Sequence, residues 1–148
     1  MTQAKEINQG VIHKEIDLIQ ACIRRMANNS FLLKGWTISL LAILLALFGE
    51  NTKPTFICLV MLIPLFSFWY LDTFFLQTEK MYRKMYEWVL EKRMNDDQSK
   101  LYDLNPHRFK ADVDSRIKIM FSITLRWFYG MPVIITVAII LYLLITKK

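Results

Sequence analysis

Asp72 is the one charge in the apolar run that opens WYLDTFFLQTEKMYRKMYEW, residues 69–88, just ahead of a charged, aromatic stretch. A carboxylate there could carry a proton or sit at the mouth of an ion path, because ionisable groups in an apolar medium are costly enough to need a reason. The plainer reading is an interfacial ion pair with Lys34, the only charge between Phe31 and Gly49. Asp72 lies 18 residues beyond Pro54 and Lys34 lies 15 before Gly49. In an antiparallel hairpin those paths differ by only about 4 to 5 Å of helical rise, so both charges would reach one membrane edge together.

The second constellation is Tyr82, Arg83, Lys84, Tyr86, Trp88, Lys92 and Arg93. Stacking rings among cations are what single-stranded nucleic acid binds, which makes Tyr82, Arg83, Lys84, Tyr86 and Arg93 ligand-binding candidates. The same mixture also describes an ordinary belt at the inner leaflet. Catalytic chemistry has little to stand on. His13 and His107 are far apart, and the chain has no HExxH, GxSxG, phosphate-loop or paired-cysteine motif. No enzyme, metal site or cofactor is expected, and Cys22 and Cys58 suggest no disulfide.

The third candidate is a pore-lining face made of Thr124, Met131, Ile135, Ala138 and Tyr142. A ring of such uncharged side chains can close by dewetting and open with a modest change of radius. A lipid-facing anchor helix is the competing reading.

The elements that must position these groups are helical. Gly35–Gly49 carries no charge, and from Phe31 the run reaches 19 residues, or roughly 28 Å of helix, about one bilayer core. Pro54–Leu71 is uncharged and extends to Thr78 if Asp72 is tolerated, and Trp127–Thr146 is twenty uncharged residues. The expectation is an all-α membrane protein with three transmembrane helices, cytoplasmic helical extensions and a homo-oligomeric state. The first apolar run begins too late for a secretory leader, so the first helix is expected to remain.

Orientation follows from the basic residues outside the spans. A cytoplasmic N-terminus places 16 Lys and Arg inside and three outside, and the inverse topology reverses those numbers. Lys147 and Lys148 then fall outside, which a re-entrant third segment would avoid, although a continuous helix satisfies its backbone more simply. The net charge of +6 is largely this bias rather than a sign of nucleic acid binding.

Four regions result: a cytoplasmic amphipathic helix over 1–30, a two-span hairpin over 31–78, a cytoplasmic helical region over 79–126, and the third helix with its tail over 127–148. Ile12, Ile16, Ile19, Ile23 and Met26 form a seam that needs a partner, in its own bundle, in another copy or on the inner leaflet. Asn28, Asn29 and Ser30 predict a helix break with capping chemistry. Gly35, Ser39, Ala42, Ala46 and Gly49 draw a stripe of small residues on which another helix could pack. Residues 49–54 read as a hairpin turn, and Pro64 as a possible kink.

The second span is expected to run on past Glu79 as one helix and to end in the polar stretch Asn95–Ser99. Asn105-Pro106 predicts a capped start. Val113, Ile117, Met120, Thr124 and Trp127 then predict a helix feeding the third span, with a hinge at Gly130 and Pro132.

MANNSFLLKGW, residues 26–36, with WYLDTFFLQTEKMYRKMY, residues 69–86, resembles small bacterial membrane proteins of the SLATT-like effector kind, encoded beside nucleotidyltransferases in anti-phage defence. More specifically, it looks like the membrane component of Hailong systems. It covers roughly half the chain. It implies an oligomeric ion channel of the bacterial inner membrane, expected here as a tetramer. An oligonucleotide from a partner nucleotidyltransferase would hold it closed, and release during infection would depolarise the membrane. The other readings are a non-conducting anchor that recruits a soluble partner, and a small transporter using Asp72.

Overall fold

The computed structural model describes residues 2–47, 53–95, 97 and 99–146, the side chains of residues 2–8 and Leu47 excepted. Gly49–Thr52 of the expected hairpin turn, Asp96 and Gln98 of the polar stretch, and Lys147 and Lys148 lie outside them. In chain order the elements are α1 (Thr2–Leu47), α2 (Pro54–Met94), a 3-10 turn (Pro106–Phe109), α3 (Arg116–Met120), α4 (Ile123–Leu125), a π-helical turn (Arg126–Gly130) and α5 (Met131–Thr146). Helix is the only regular secondary structure among the described residues, which contain no strand. Three stretches, Gln9–Ala46, Pro54–Met94 and Ile123–Thr146, are long and apolar enough to cross a membrane.

The chain divides into two compact units, Met1–Asn28 with Phe75–Asp114 and Asn29–Phe74 with Ser115–Lys148. In the first, the α1 seam finds its partner inside the chain. Ile19, Met85, Val89 and Phe109 are buried together, with Ile16, Ile23, Tyr82, Tyr86, Trp88 and Leu104 packed against them. Glu15 meets Arg93 and Gln20 meets Tyr86, so α1 and α2 run antiparallel here.

Glu15 and Arg93 form a buried bidentate pair. Arg93 Nε and Nη2 donate to the carboxylate at 2.9 and 3.0 Å. Its Nη1 donates to the carbonyls of Asp97 and Ser99, and the Tyr102 N–H donates to Glu15 at 2.9 Å. That last donor sits on a left-handed backbone, Tyr102 at φ 58°, two residues after Lys100 at φ 56°. Non-glycine residues hold such angles only where surroundings enforce them. Further on, Asn105 accepts from the His107 N–H at 3.1 Å and starts the 3-10 turn. Arg108 pairs with Asp103 at 2.6 Å and lies over the Trp88 ring.

The second unit is assembled around Trp69. Its indole N–H donates to the Met120 carbonyl at 2.9 Å, its ring stacks on Tyr129 and Phe66, and Phe121 meets it edge-on. Leu65, Ile119, Leu125 and Tyr129 are buried in this unit.

Two expected features are corrected. α1 passes through Asn28, Asn29 and Ser30 without a break, because the Ser30 hydroxyl donates to Asp72 instead of capping a helix end. Weak propensity at three positions amounts to roughly 2 kcal/mol, which tertiary contacts override. The run from Asn105 to Trp127 is not one helix either. The 3-10 turn ends at Phe109, Ser115 caps a new start by accepting from Lys118 N–H, and Phe121-Ser122 interrupts again. Where a hinge is expected at Gly130 and Pro132, the π-helical turn Arg126–Gly130 ends on the glycine, two residues before the proline. Proline at 132 has no N–H to donate and its ring crowds the preceding turn, and a wider turn accommodates both.

Removing one partner of the Glu15–Arg93 pair strands a buried charge. Arg93→Ala should therefore destabilise the first unit by about 3–5 kcal/mol in denaturant unfolding, and Glu15→Leu with Arg93→Met should recover most of the loss. Asp97 is held down at about 2, first by the Ser99 backbone N–H, then by the Ser99 side chain and Lys92. Asp103 is lowered by Arg108 and by the Asn105 N–H. Depressed carboxyls stabilise above their unfolded value of 3.8 and lose that as pH falls through the folded one. Amide exchange at Ser99 and Asn105 should be slow from pH 7 down to pH 5, relative to intrinsic rates, and lose protection from about pH 4 toward pH 2.

Candidate functional site

Three elements bring polar groups to one point in the second unit. Ser30, Lys34 and Thr37 recur at spacings of four and three, which is one face of α1. Asp72 comes from α2, and Tyr129 from the π-helical turn. Lys34 Nζ lies 2.6 Å from the Asp72 carboxylate, the Ser30 hydroxyl donates to its other oxygen, and the Tyr129 hydroxyl donates at 3.1 Å. Lys34 also donates to Ser30 Oγ at 2.9 Å, and Tyr129 is in hydrogen-bond contact with Thr37.

Asp72 is 0% exposed. Burying a charge costs several kcal/mol, and three converging donors, one of them an ammonium, are what offset it. The structure thus brings Lys34 and Asp72 together, and encloses the carboxylate instead of presenting it to an ion path. Chemically it is a fastening that joins α1, α2 and the turn before α5. The 30, 34, 37 spacing of polar residues was available in the sequence as a signal for Ser30 and Thr37. Tyr129 had none, since its approach depends on the π-helical turn.

The pore-lining candidates on α5 fall on a single face. Met131, Ile135, Ala138 and Tyr142 are all exposed, whereas Val133, Thr136, Ile140 and Leu143 are buried or half-buried. At about 100° per residue the two stripes are centred roughly 150° apart, so the candidate stripe points away from the helices of its own unit. Thr124, in α4, is also exposed. The small residues of α1 do the same. Gly35, Ser39, Ala42 and Ala46 are exposed, opposite the stripe that holds Ser30 and Thr37.

The aromatic and basic stretch of α2 is split by the fold. Tyr82 and Tyr86 lie against the core, and the Tyr82 hydroxyl is raised mainly by burial and then by Cys22. Arg93 is corrected as a ligand-binding candidate, because it is buried, with its guanidinium held by Glu15 and by the Asp97 and Ser99 carbonyls. Arg83 and Lys84 remain on the surface, paired with Glu79 and Glu87 at 2.7 Å each. Arg83 lies between two open grooves of about 310 and 350 Å³. One is lined by Lys80, Arg83, Lys84, Glu87, Asp112 and Asp114 and so balances its charges, three against three.

No family model, curated protein or solved structure matches the chain. His13 and His107 are exposed and separate, and among the described residues no three His, Cys, Asp or Glu side chains gather as metal ligands. The site is therefore read from its own geometry.

If the Asp72 cluster is a fastening, its members are coupled. Asp72→Asn and Lys34→Met should each lower thermal stability in detergent, by about 1–3 kcal/mol given that Lys34 is partly open to solvent. The double variant should lose less than the sum of the two, and strict additivity would show that the pair does no such work.

Proposed function

We propose that this chain is an ion-channel effector of the bacterial inner membrane, with a cytoplasmic N-terminus, that assembles with copies of itself around α5. The observation that supports the reading is the α5 face. It is uncharged throughout, exposed, and directed away from the chain's own packing. Three helices cannot readily enclose a water path, so such a face forms a pore only as a ring of copies. Met131, Ile135, Ala138 and Tyr142 would line it, and Thr124 would stand before it at the inner mouth. A tetramer is the proposed count.

The resemblance supplies the setting, an anti-phage defence channel gated on its cytoplasmic side by a nucleotide or oligonucleotide. With Arg93 withdrawn, that ligand has Arg83 and Lys84 as its cations, beside Lys80. It would have to compete with Glu79, Glu87 and Asp114 for them, which makes a salt-sensitive, easily released interaction. Enclosure of Asp72 weighs against the transporter reading.

Two measurements test the proposal. Protein reconstituted in planar bilayers should give discrete current steps, which cytoplasmic-side oligonucleotide should close. In a Cys22→Ser, Cys58→Ser background, Ile135→Cys and Ala138→Cys should lose current to a charged thiol reagent while Thr136→Cys keeps it. Silence from correctly folded oligomers would sink the channel and leave the anchor.

A further inference from the structure

Between Arg116 and Tyr129 the chain is held at three points, and all three partners fall between Trp69 and Phe74 of α2. Arg116 donates to the Tyr70 hydroxyl at 2.8 Å and lies over the Tyr70 and Phe74 rings. The Met120 carbonyl receives the Trp69 N–H, and Tyr129 reaches Asp72. Six residues of α2 cover about 8 Å of rise, whereas residues 116 to 129 as one helix alongside it would need about 20 Å. The segment therefore runs across α2 rather than along it, in pieces of five, three and five residues.

Its outer surface is apolar. Ile117 is 72% exposed, Phe121 56%, Ile123 73% and Trp127 59%, while Ile119, Leu125 and Tyr129 turn inward. Its charges have one sign. Arg116, Lys118 and Arg126 are basic, and no Asp or Glu occurs from Ser115 onward. The level is that of Lys34 and Asp72, where the apolar run of α2 ends.

We propose that Arg116–Trp127 is an interfacial element that binds anionic phospholipids of the cytoplasmic leaflet. This rests on the membrane reading above. Ile117, Phe121 and Ile123 enter the outer acyl layer, and Trp127 sits at the headgroup boundary, where indoles concentrate. Lys118 and Arg126 meet the lipid phosphates. Arg116, fixed on Tyr70, sets the orientation. A second copy of the chain fits this surface less well, because the same three cations would face each other across a symmetric contact.

The experiment uses the full chain, Cys22→Ser and Cys58→Ser, in vesicles of phosphatidylglycerol and phosphatidylcholine. A fluorophore is placed at Ile117→Cys, at Ile123→Cys or, as reference, at Ile139→Cys in α5. Quenching is read with lipids spin-labelled near the headgroup or deep in the chain. Labels at 117 and 123 should be quenched best by the shallow probe, and the label at 139 by the deep one. Quenching by neither probe at 139 would defeat the membrane reading itself. Deep quenching at 139 with none at 117 and 123 would overturn this inference alone, and with it any claim that lipid rather than protein covers the segment. Spin-labelled phosphatidylglycerol should out-quench phosphatidylcholine at 123. Lys118→Gln and Arg126→Gln should each reduce that preference by up to about five-fold, and an unchanged preference would overturn the anionic-lipid assignment.

Discussion

The carboxylate of Asp72 organises the second unit because it has no solvent to fall back on. A buried charge keeps its place only while its donors keep theirs, so Ser30, Lys34 and Tyr129 are fixed in register by one requirement. Ser30 then cannot cap a helix end, which is why α1 continues through a polar triplet. Tyr129 must arrive at the right height, and the π-helical turn supplies the extra backbone that brings it there. Trp69, one turn earlier on α2, stacks on the same tyrosine and holds the Met120 carbonyl. Direction comes from the hydrogen bonds and bulk from the aromatic rings.

The first unit repeats the logic with different chemistry. Glu15 collects the Arg93 fork and the Tyr102 N–H, and the strained backbone at Lys100 and Tyr102 is stabilised by what it delivers. Arginine suits this place since its planar fork matches a carboxylate and still has an Nη left for two carbonyls. A lysine would leave those carbonyls bare. In each unit one acid turns a set of loosely specified helices into a single register.

What could be read from the sequence was whatever depends on period and length. The run of α2 past Glu79 as one helix, the Ile16–Ile23 seam and the proximity of Lys34 to Asp72 follow from rise per residue and hydrophobic repeat. Whatever depends on a specific distant partner could not be read that way. Glu15 lies three residues after Ile12 and four before Ile19, on the seam itself, yet without Arg93 in view it passes for a solvated acid. Arg93 passes for a free cation for the same reason. The apolar repeat from Val113 to Trp127 is real but serves a segment that turns across α2, where repeat and burial no longer describe one helix face.

The first unit is built from two stretches that the ribosome makes far apart. Glu15 and Arg93 are separated by 78 residues. At 5 to 20 residues per second the acid waits on the order of 4 to 16 s for its partner. During that interval the isoleucine seam of α1 is synthesised and uncovered, with an unpaired carboxylate in its midst. The charge that later locks the register first acts as a solubilising group, interrupting an apolar strip that would otherwise be free to associate. Biogenesis and the finished fold thus draw on the same side chain in opposite electrostatic roles, hydrated first and enclosed afterwards.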